Sequence, residues 1–136
     1  MDIILSIYPK NIEKIESGIK KYEFRRSIYK NPNVENAYIY ASVPVKKIVS
    51  VFKIGQVISG TPDEVWERCG TDSGTTKESL MEYFKGKDKV YALEIIDYKK
   101  FDVPIDPKYY IKDFYPPQFF RYLEDSKTLF SKNIIK

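Results

Sequence analysis

Branched apolar residues and regularly spaced isoleucines open the chain, and together they predict a buried strand followed by a short helix. Residues 2–8 are almost continuously apolar, as in the buried strand of a sheet. Pro9 is suited to the first turn of a helix, and Gly18 is suited to the end of one. The apolar face of this predicted helix consists of Ile12, Ile15 and Ile19.

The hydrophobic period changes to two between residues 20 and 26, which predicts a second strand with two different faces. Alternation places Glu23 beside Arg25, close enough for a charge-assisted pair that orients the guanidinium. We expect aromatic residues on the core face and charged residues on the other, namely Tyr22 and Phe24 against Lys21, Glu23 and Arg25.

Strand and helix signals also follow one another through the middle of the chain. Thr61-Pro62-Asp63-Glu64 forms a capping box, and residues 75–78 repeat it, so two helices are expected here. Gly70 and Gly86 are expected to end them, and Gly55 is expected to form a bulge. Further strands are predicted over residues 37–41, 48–59 and 90–98.

These elements predict an α+β fold in one domain over residues 1–136. The connections at 26–37 and 41–48 are too short for helical crossovers, so the sheet should be mostly antiparallel. Strands of this number and length commonly close, or nearly close, and thereby remove exposed edges. We therefore expect a small β-barrel with peripheral helices. The role of the tail at 124–136 is left open.

Composition changes this picture mainly by what it excludes. The 136 residues contain no histidine, which excludes histidine general bases and histidine metal ligands. One cysteine, Cys69, excludes an intramolecular disulfide and a cysteine zinc site, and we expect it in the core. We expect no metal and no cofactor. The apolar runs are too short to span a membrane and no signal peptide is visible, so we expect a cytoplasmic protein without a membrane partner.

The positive charge is concentrated in the first half of the chain. Residues 1–60 carry ten Lys and Arg against five Asp and Glu, whereas residues 61–136 carry thirteen against fourteen. The excess is densest between Gly18 and Lys30, and a field of that sign attracts phosphate groups. A merely solvated basic surface would have the same composition.

The segment Gly18-Ile-Lys20-Lys-Tyr-Glu23-Phe-Arg25 carries the G-x-K-x-x-E-x-R signature and resembles the ASCH domain family of the PUA-like superfamily. The likeness extends over roughly residues 3–123. Its subgroup is described as transcriptional regulators with a PUA-like domain. The flanking motifs that agree are Leu5-Ser6-Ile7-Tyr8-Pro9, Tyr40-Ala41-Ser42-x-Pro44, Ile48-Val49 and Pro116-Pro117-Gln118.

The resemblance implies a barrel with a ligand cleft for RNA, a nucleotide or a modified nucleoside. Gly18 would shape the turn, Lys20 and Arg25 would face the ligand, and Glu23 would pair with them or contact a base edge. A helix-turn-helix segment has no room in this chain, so a regulatory role would need a protein partner. The full set of expected ligand-binding residues is Gly18, Lys20, Lys21, Glu23, Arg25, Arg26, Gln118 and Phe119.

Three functions stay open at this point. The first is a binding module whose affinity for RNA falls steeply with salt. The second is an enzyme, either an N4-acetylcytidine amidohydrolase or a ribonuclease, in which Lys20 and Glu23 are catalytic. Lys20 could serve as a base only if burial or a neighbouring cation lowers its pKa. Amidohydrolase members of the family use a further glutamate. In this sequence the corresponding region, residues 71–74, contains only one acidic residue, Asp72. The third is an interaction domain that keeps the signature for stability.

Overall fold

The hydrophobic pattern determines most elements of residues 1–123, the part of the chain that the computed structural model describes. The tail at 124–136, whose role the sequence left open, lies outside the described residues. Residues 1–123 form the strands β1 (Asp2–Ile7), β2 (Tyr22–Arg25), β3 (Asn36–Ala41), β4 (Lys47–Gly60), β5 (Val90–Ile105) and β6 (Arg121–Leu123). They also form the helices α1 (Pro9–Glu16), α2 (Pro62–Cys69) and α3 (Lys77–Phe84), with 3-10 turns at Gly70–Asp72 and Pro107–Tyr109.

The strands join in one mixed sheet in the order β2-β5-β4-β3-β1-β6. Within residues 1–123 only β1 and β3 pair in parallel, because α1 and β2 lie between them in the chain. The other neighbours are antiparallel, as predicted. Gly55 lies where the register between β4 and β5 shifts, which confirms the expected bulge.

The sheet does not close, so the predicted barrel is wrong. Its edge strands β2 and β6 have four and three residues, and backbone pairing does not join them. Arg25 reaches across the opening instead: Nη2 donates to the carbonyl of Ser6 in β1, and Nη1 donates to the carbonyl of Phe119 before β6. A side chain therefore connects the two ends of the sheet where a barrel would have a ladder.

The predicted helix signals hold with two corrections. Thr61 and Glu64 form the expected reciprocal capping box of α2. The cap of α3 is Thr76, which accepts from the Ser79 amide, so α3 begins one residue later than the predicted box. Ile19 is 59% exposed and does not continue the apolar face of α1. The reason is that α1 ends at Glu16 and the chain turns away before Ile19.

The helices cover the two ends of the sheet. Ile12 and Ile15 of α1 pack into a core with β1, β3 and β4. Helices α2 and α3 cover Phe24 and the paired ends of β4 and β5, and Cys69 is buried there as expected. Burial raises the pKa of the Cys69 thiol, which keeps it protonated. No helix in residues 1–123 is long and apolar enough to cross a membrane.

Candidate functional site

A cavity of about 590 Å³ opens where the end of β1 and the start of α1 meet β2, α3 and residues 116–118. This volume lies within the range of sites that hold small ligands. Apolar side chains form part of its wall, together with hydroxyl groups, amides and charged groups. The polar and charged lining residues are Ser6, Tyr8, Asn11, Lys20, Glu23, Arg25, Ser42, Thr75, Ser79, Tyr83 and Gln118.

Lys20 places a buried amine in this cavity. It follows the turn at Gly18, and its backbone amide donates to the carbonyl of Lys14, which anchors the residue to α1. Nζ lies 3.7 Å from Oε1 of Glu23 and 4.7 Å from the centre of the Phe24 ring. Burial lowers the pKa of Lys20, Glu23 opposes this effect, and Arg25 adds to it. The amine can therefore lose its proton more easily than an exposed lysine.

Glu23 lies between two cations. Its carboxylate faces Lys20 on one side, and its Oε2 accepts from Arg25 Nη2 at 2.8 Å on the other. This confirms the predicted pairing of Glu23 with Arg25. The predicted charged face of β2 lines the cavity at these two residues, and α3 and residues 116–118 line it as well. One carboxylate thus fixes the positions of two cationic groups.

Arg25 is held by protein acceptors on several sides. Besides the Glu23 carboxylate it binds the two backbone carbonyls that span the sheet opening, those of Ser6 and Phe119. Its side chain is only 13% exposed, and Nε is buried without a partner among the described residues. The planar guanidinium of Arg25 therefore makes most of its hydrogen bonds within the protein.

The other expected ligand contacts lie in different places. Gln118 lines the cavity, whereas Phe119 lies outside its lining and its ring is exposed. Lys21 faces Asp72 at 3.9 Å on the surface. Arg26 Nη1 donates to the carbonyls of Tyr83 and Lys85 at the end of α3. These roles stay predictions.

Gly18 lies in the turn that precedes Lys20, and the loop after α2 contacts the residue that follows, because the Lys21 amide donates to the carbonyl of Asp72. Gly18 has φ +81°, a conformation that favours glycine, and it lies outside the cavity lining. Asp72, the acid considered for catalysis, is also outside the lining. In residues 1–123 no group of three or more Cys, Asp or Glu side chains is placed to hold a metal ion.

Sequence reasoning missed several residues of the site. Lys14 Nζ donates to the carbonyl of Gly74 at 2.9 Å, and its charge further lowers the pKa of Lys20. Ser42 lines the cavity, and its buried hydroxyl has no partner among the described residues. Ser42 and Tyr8 both belong to motifs that carried the family resemblance, but those motifs did not indicate that either residue lines a cavity. Nothing local in the sequence pointed to Lys14, because its partner is sixty residues away.

Comparison with known proteins places the chain in a family. Residues 6–113 match the family model described as a domain of unknown function, DUF365. The chain belongs to this family. The DUF365 chain is also 28% identical over 133 residues to an ASCH domain-containing ribonuclease of Zymomonas mobilis, a match that covers 93% of this chain and 87% of the relative.

Solved structures extend the likeness from sequence to fold. The crystal structure of ASCH from Zymomonas mobilis superposes with a TM-score of 0.87 at 28% identity and covers 98% of this chain and 96% of that one. A tyrosine-to-phenylalanine variant from the same organism superposes with a TM-score of 0.87 at 27% identity, covering 96% and 97%. The DUF365 domain is therefore similar to ASCH domains over nearly its whole length.

A shorter match involves a ribosomal protein. The large-subunit protein uL22 of Ureaplasma parvum is 28% identical over 91 residues, which is 67% of this chain but 29% of uL22. These relatives support the ASCH resemblance of the DUF365 domain. None of their names refers to transcription, so the expected regulator subgroup stays a prediction.

Proposed function

We propose that this domain binds RNA and takes one nucleotide unit into the cavity beside Lys20, Glu23 and Arg25. The observation that carries this proposal is the buried charged group at the wall of a cavity of about 590 Å³. The similarity to an ASCH domain-containing ribonuclease supports RNA as the ligand class.

The charges and polar groups of the cavity suit a nucleotide. With Lys20 protonated, two cations face one carboxylate, which leaves an excess positive charge to attract phosphate. The Gln118 amide can pair with a base edge, and the Ser42 hydroxyl can bond a ribose hydroxyl. Contact with the 2′-hydroxyl is how proteins distinguish RNA from DNA.

A binding experiment with charge-matched variants tests this proposal. A labelled single-stranded RNA of twelve nucleotides is titrated with the parent protein, with Lys20→Met and with Lys99→Met. Lys99 is an exposed lysine outside the cavity, so its variant removes the same charge. We expect Lys20→Met to bind at least tenfold more weakly and Lys99→Met to bind within about twofold of the parent, because Lys99 does not line the cavity. Absence of binding at low salt, or equal losses in both variants, would contradict the proposal.

We propose catalysis by Lys20 as a second candidate function, favoured by the lowered pKa of its buried amine. In a ribonuclease reaction the neutral amine would remove the proton of the ribose 2′-hydroxyl. The oxygen would then attack the adjacent phosphorus, the bond to the 5′-oxygen would break, and that oxygen would take a proton from solvent. The products would be a 2′,3′-cyclic phosphate and a 5′-hydroxyl end. Glu23 would keep the amine in place during this step.

An RNA with a single unmodified ribose in a 2′-O-methyl background tests this second function. Cleavage should occur only at the unmodified ribose and should be lost in Lys20→Met. Its rate should rise with pH until Lys20 is mostly neutral, because the base form is the active one. N4-acetylcytidine is tested as a substrate in parallel. Release of acetate that is lost in Lys20→Met would favour the amidohydrolase activity over the ribonuclease activity. RNA binding without turnover of either substrate would contradict the catalytic function and retain the binding function.

A further inference from the structure

Tyr8 holds an aromatic ring at the edge of the cavity without any partner in the described residues. Its carbonyl accepts from the amides of Asn11 and Ile12, which fixes its backbone at the start of α1. The ring lines the cavity but is 71% exposed, and the described residues give it no ring neighbour and no hydrogen bond. A fixed backbone thus presents a free aromatic surface beside the site.

Tyr83 places a second aromatic ring in the cavity lining from a different element. Its hydroxyl donates to the carbonyl of Phe24 at 3.3 Å, and its ring lies 5.3 Å from that of Phe84. The side chain is nevertheless 44% exposed. Two partly exposed tyrosines, one from the start of α1 and one from α3, therefore border a cavity that also contains Lys20 and Arg25.

Base faces are the natural partners for such rings in a protein that binds RNA. Stacking a base on an aromatic side chain covers apolar area on both and works with any of the four bases. In a duplex each base is already covered on both faces by its neighbours and is paired along its edge. A paired base could enter this cavity only after it had been unstacked and unpaired.

We infer that Tyr8 is a stacking platform that makes the cavity selective for unpaired nucleotides. This inference rests on the proposed binding of RNA and specifies its substrate class. One nucleotide enters the cavity beside Lys20, and the base of an adjacent nucleotide stacks on the exposed face of Tyr8. Single-stranded RNA, or a loop or overhang, satisfies both contacts, whereas a continuous duplex satisfies neither.

The experiment compares strand state and side chain together. A twelve-nucleotide RNA is titrated alone and annealed to its complement, with the parent, Tyr8→Ala, Tyr8→Phe and Tyr109→Ala. Tyr109 is 82% exposed and outside the cavity lining, so its variant controls for loss of a surface aromatic ring. A 2-aminopurine base in the single strand reports stacking through quenching of its fluorescence.

We expect the parent to bind the single strand at least tenfold more tightly than the duplex. Tyr8→Ala should weaken single-strand binding at least fivefold and abolish the quenching, whereas Tyr8→Phe and Tyr109→Ala should bind like the parent. Equal binding of both strand states, or no difference between Tyr8→Ala and Tyr109→Ala, would overturn this inference while Lys20-dependent binding stands. Loss of all RNA binding in the parent would overturn the proposed function as well.

Discussion

Arg25 Nη2 lies 2.8 Å from Oε2 of Glu23, and the same guanidinium binds two backbone carbonyls on the far side of the sheet opening. Arg25 therefore has two structural roles. Its carboxylate contact orders the wall of the cavity, and its carbonyl contacts hold the ends of the sheet together. A change at Arg25 should therefore affect both stability and ligand binding.

Arg25→Lys should lower the free energy of unfolding by about 1–3 kcal/mol, because a point charge cannot reach three acceptors in the geometry of the fork. Urea unfolding measures this loss. Arg68→Lys, at an exposed position on α2, should change stability by less than about 0.5 kcal/mol. Equal stabilities of the two variants would show that the carbonyl contacts of Arg25 contribute little.

Glu23→Gln should destabilise the fold more strongly, by about 3 kcal/mol, because it leaves two cations facing each other at a buried position. The double variant Lys20→Met with Glu23→Gln should recover part of this loss, since it removes one of the two cations. Thermal unfolding of the four proteins in the cycle measures the coupling. Strict additivity would mean that Lys20 and Glu23 do not interact.

Lys20 should make stability depend on pH. Burial lowers its pKa below the ordinary value of 10.5, so between the two values the unfolded chain holds a proton that the folded chain has released. The unfolding free energy of the parent should therefore rise with pH in that window relative to Lys20→Met. The penalty from Lys20 is largest below the lowered pKa and disappears above the unfolded one.

The difference between the two proteins is the quantity to measure, because other groups also titrate. Burial raises the pKa of Tyr98 to about 12, which lowers stability above pH 10 in both proteins alike. Chemical unfolding from pH 7 to 10 should show the unfolding free energy of the parent rising relative to that of Lys20→Met. A difference that stays constant would mean that the pKa of Lys20 is not lowered.

Gly74→Ala should disturb the position of Lys20. Gly74 has φ +72°, and an added Cβ would lie 3.1 Å from the Cβ of Lys20. Gly86 has φ +86° with nothing within 4 Å, so Gly86→Ala carries the same backbone cost of about 1–2 kcal/mol without the contact. Both variants should lose that much stability. Only Gly74→Ala should also weaken RNA binding, by several fold, and equal binding by the two would contradict this role.

Elements that depend on neighbouring residues were predictable from the sequence. Pro9 starts α1, Thr61 caps α2 and alternation pairs Glu23 with Arg25, because each effect acts within a few positions. The signature also located Lys20, which the structure places in the cavity. Local patterns and family likeness together therefore predicted three charged residues, Lys20, Glu23 and Arg25, that line the cavity.

Features that depend on distant contacts were not predictable. The Lys14 bond to Gly74 and the Arg25 bond to Phe119 link segments far apart in the chain, and no local pattern encodes them. The prediction of a closed barrel was wrong for the same reason. The number of strands does not determine the length of the edge strands, and in residues 1–123 the short strands β2 and β6 do not pair. Ile19 fits the helical period but lies beyond the end of α1, so spacing alone misplaced it.

The opening of the sheet between β2 and β6 has a consequence for how this fold could evolve. The cavity lies along this opening, between Ser6 of β1 and Arg25 of β2, so a ligand bound there would occupy space that a continuing ladder would otherwise fill. Substitutions that lengthen β2 or β6 would add backbone hydrogen bonds and stabilise the domain, but they would also narrow its entrance. If the cavity binds RNA as proposed, selection for thermal tolerance and selection for ligand access would act against each other at this edge.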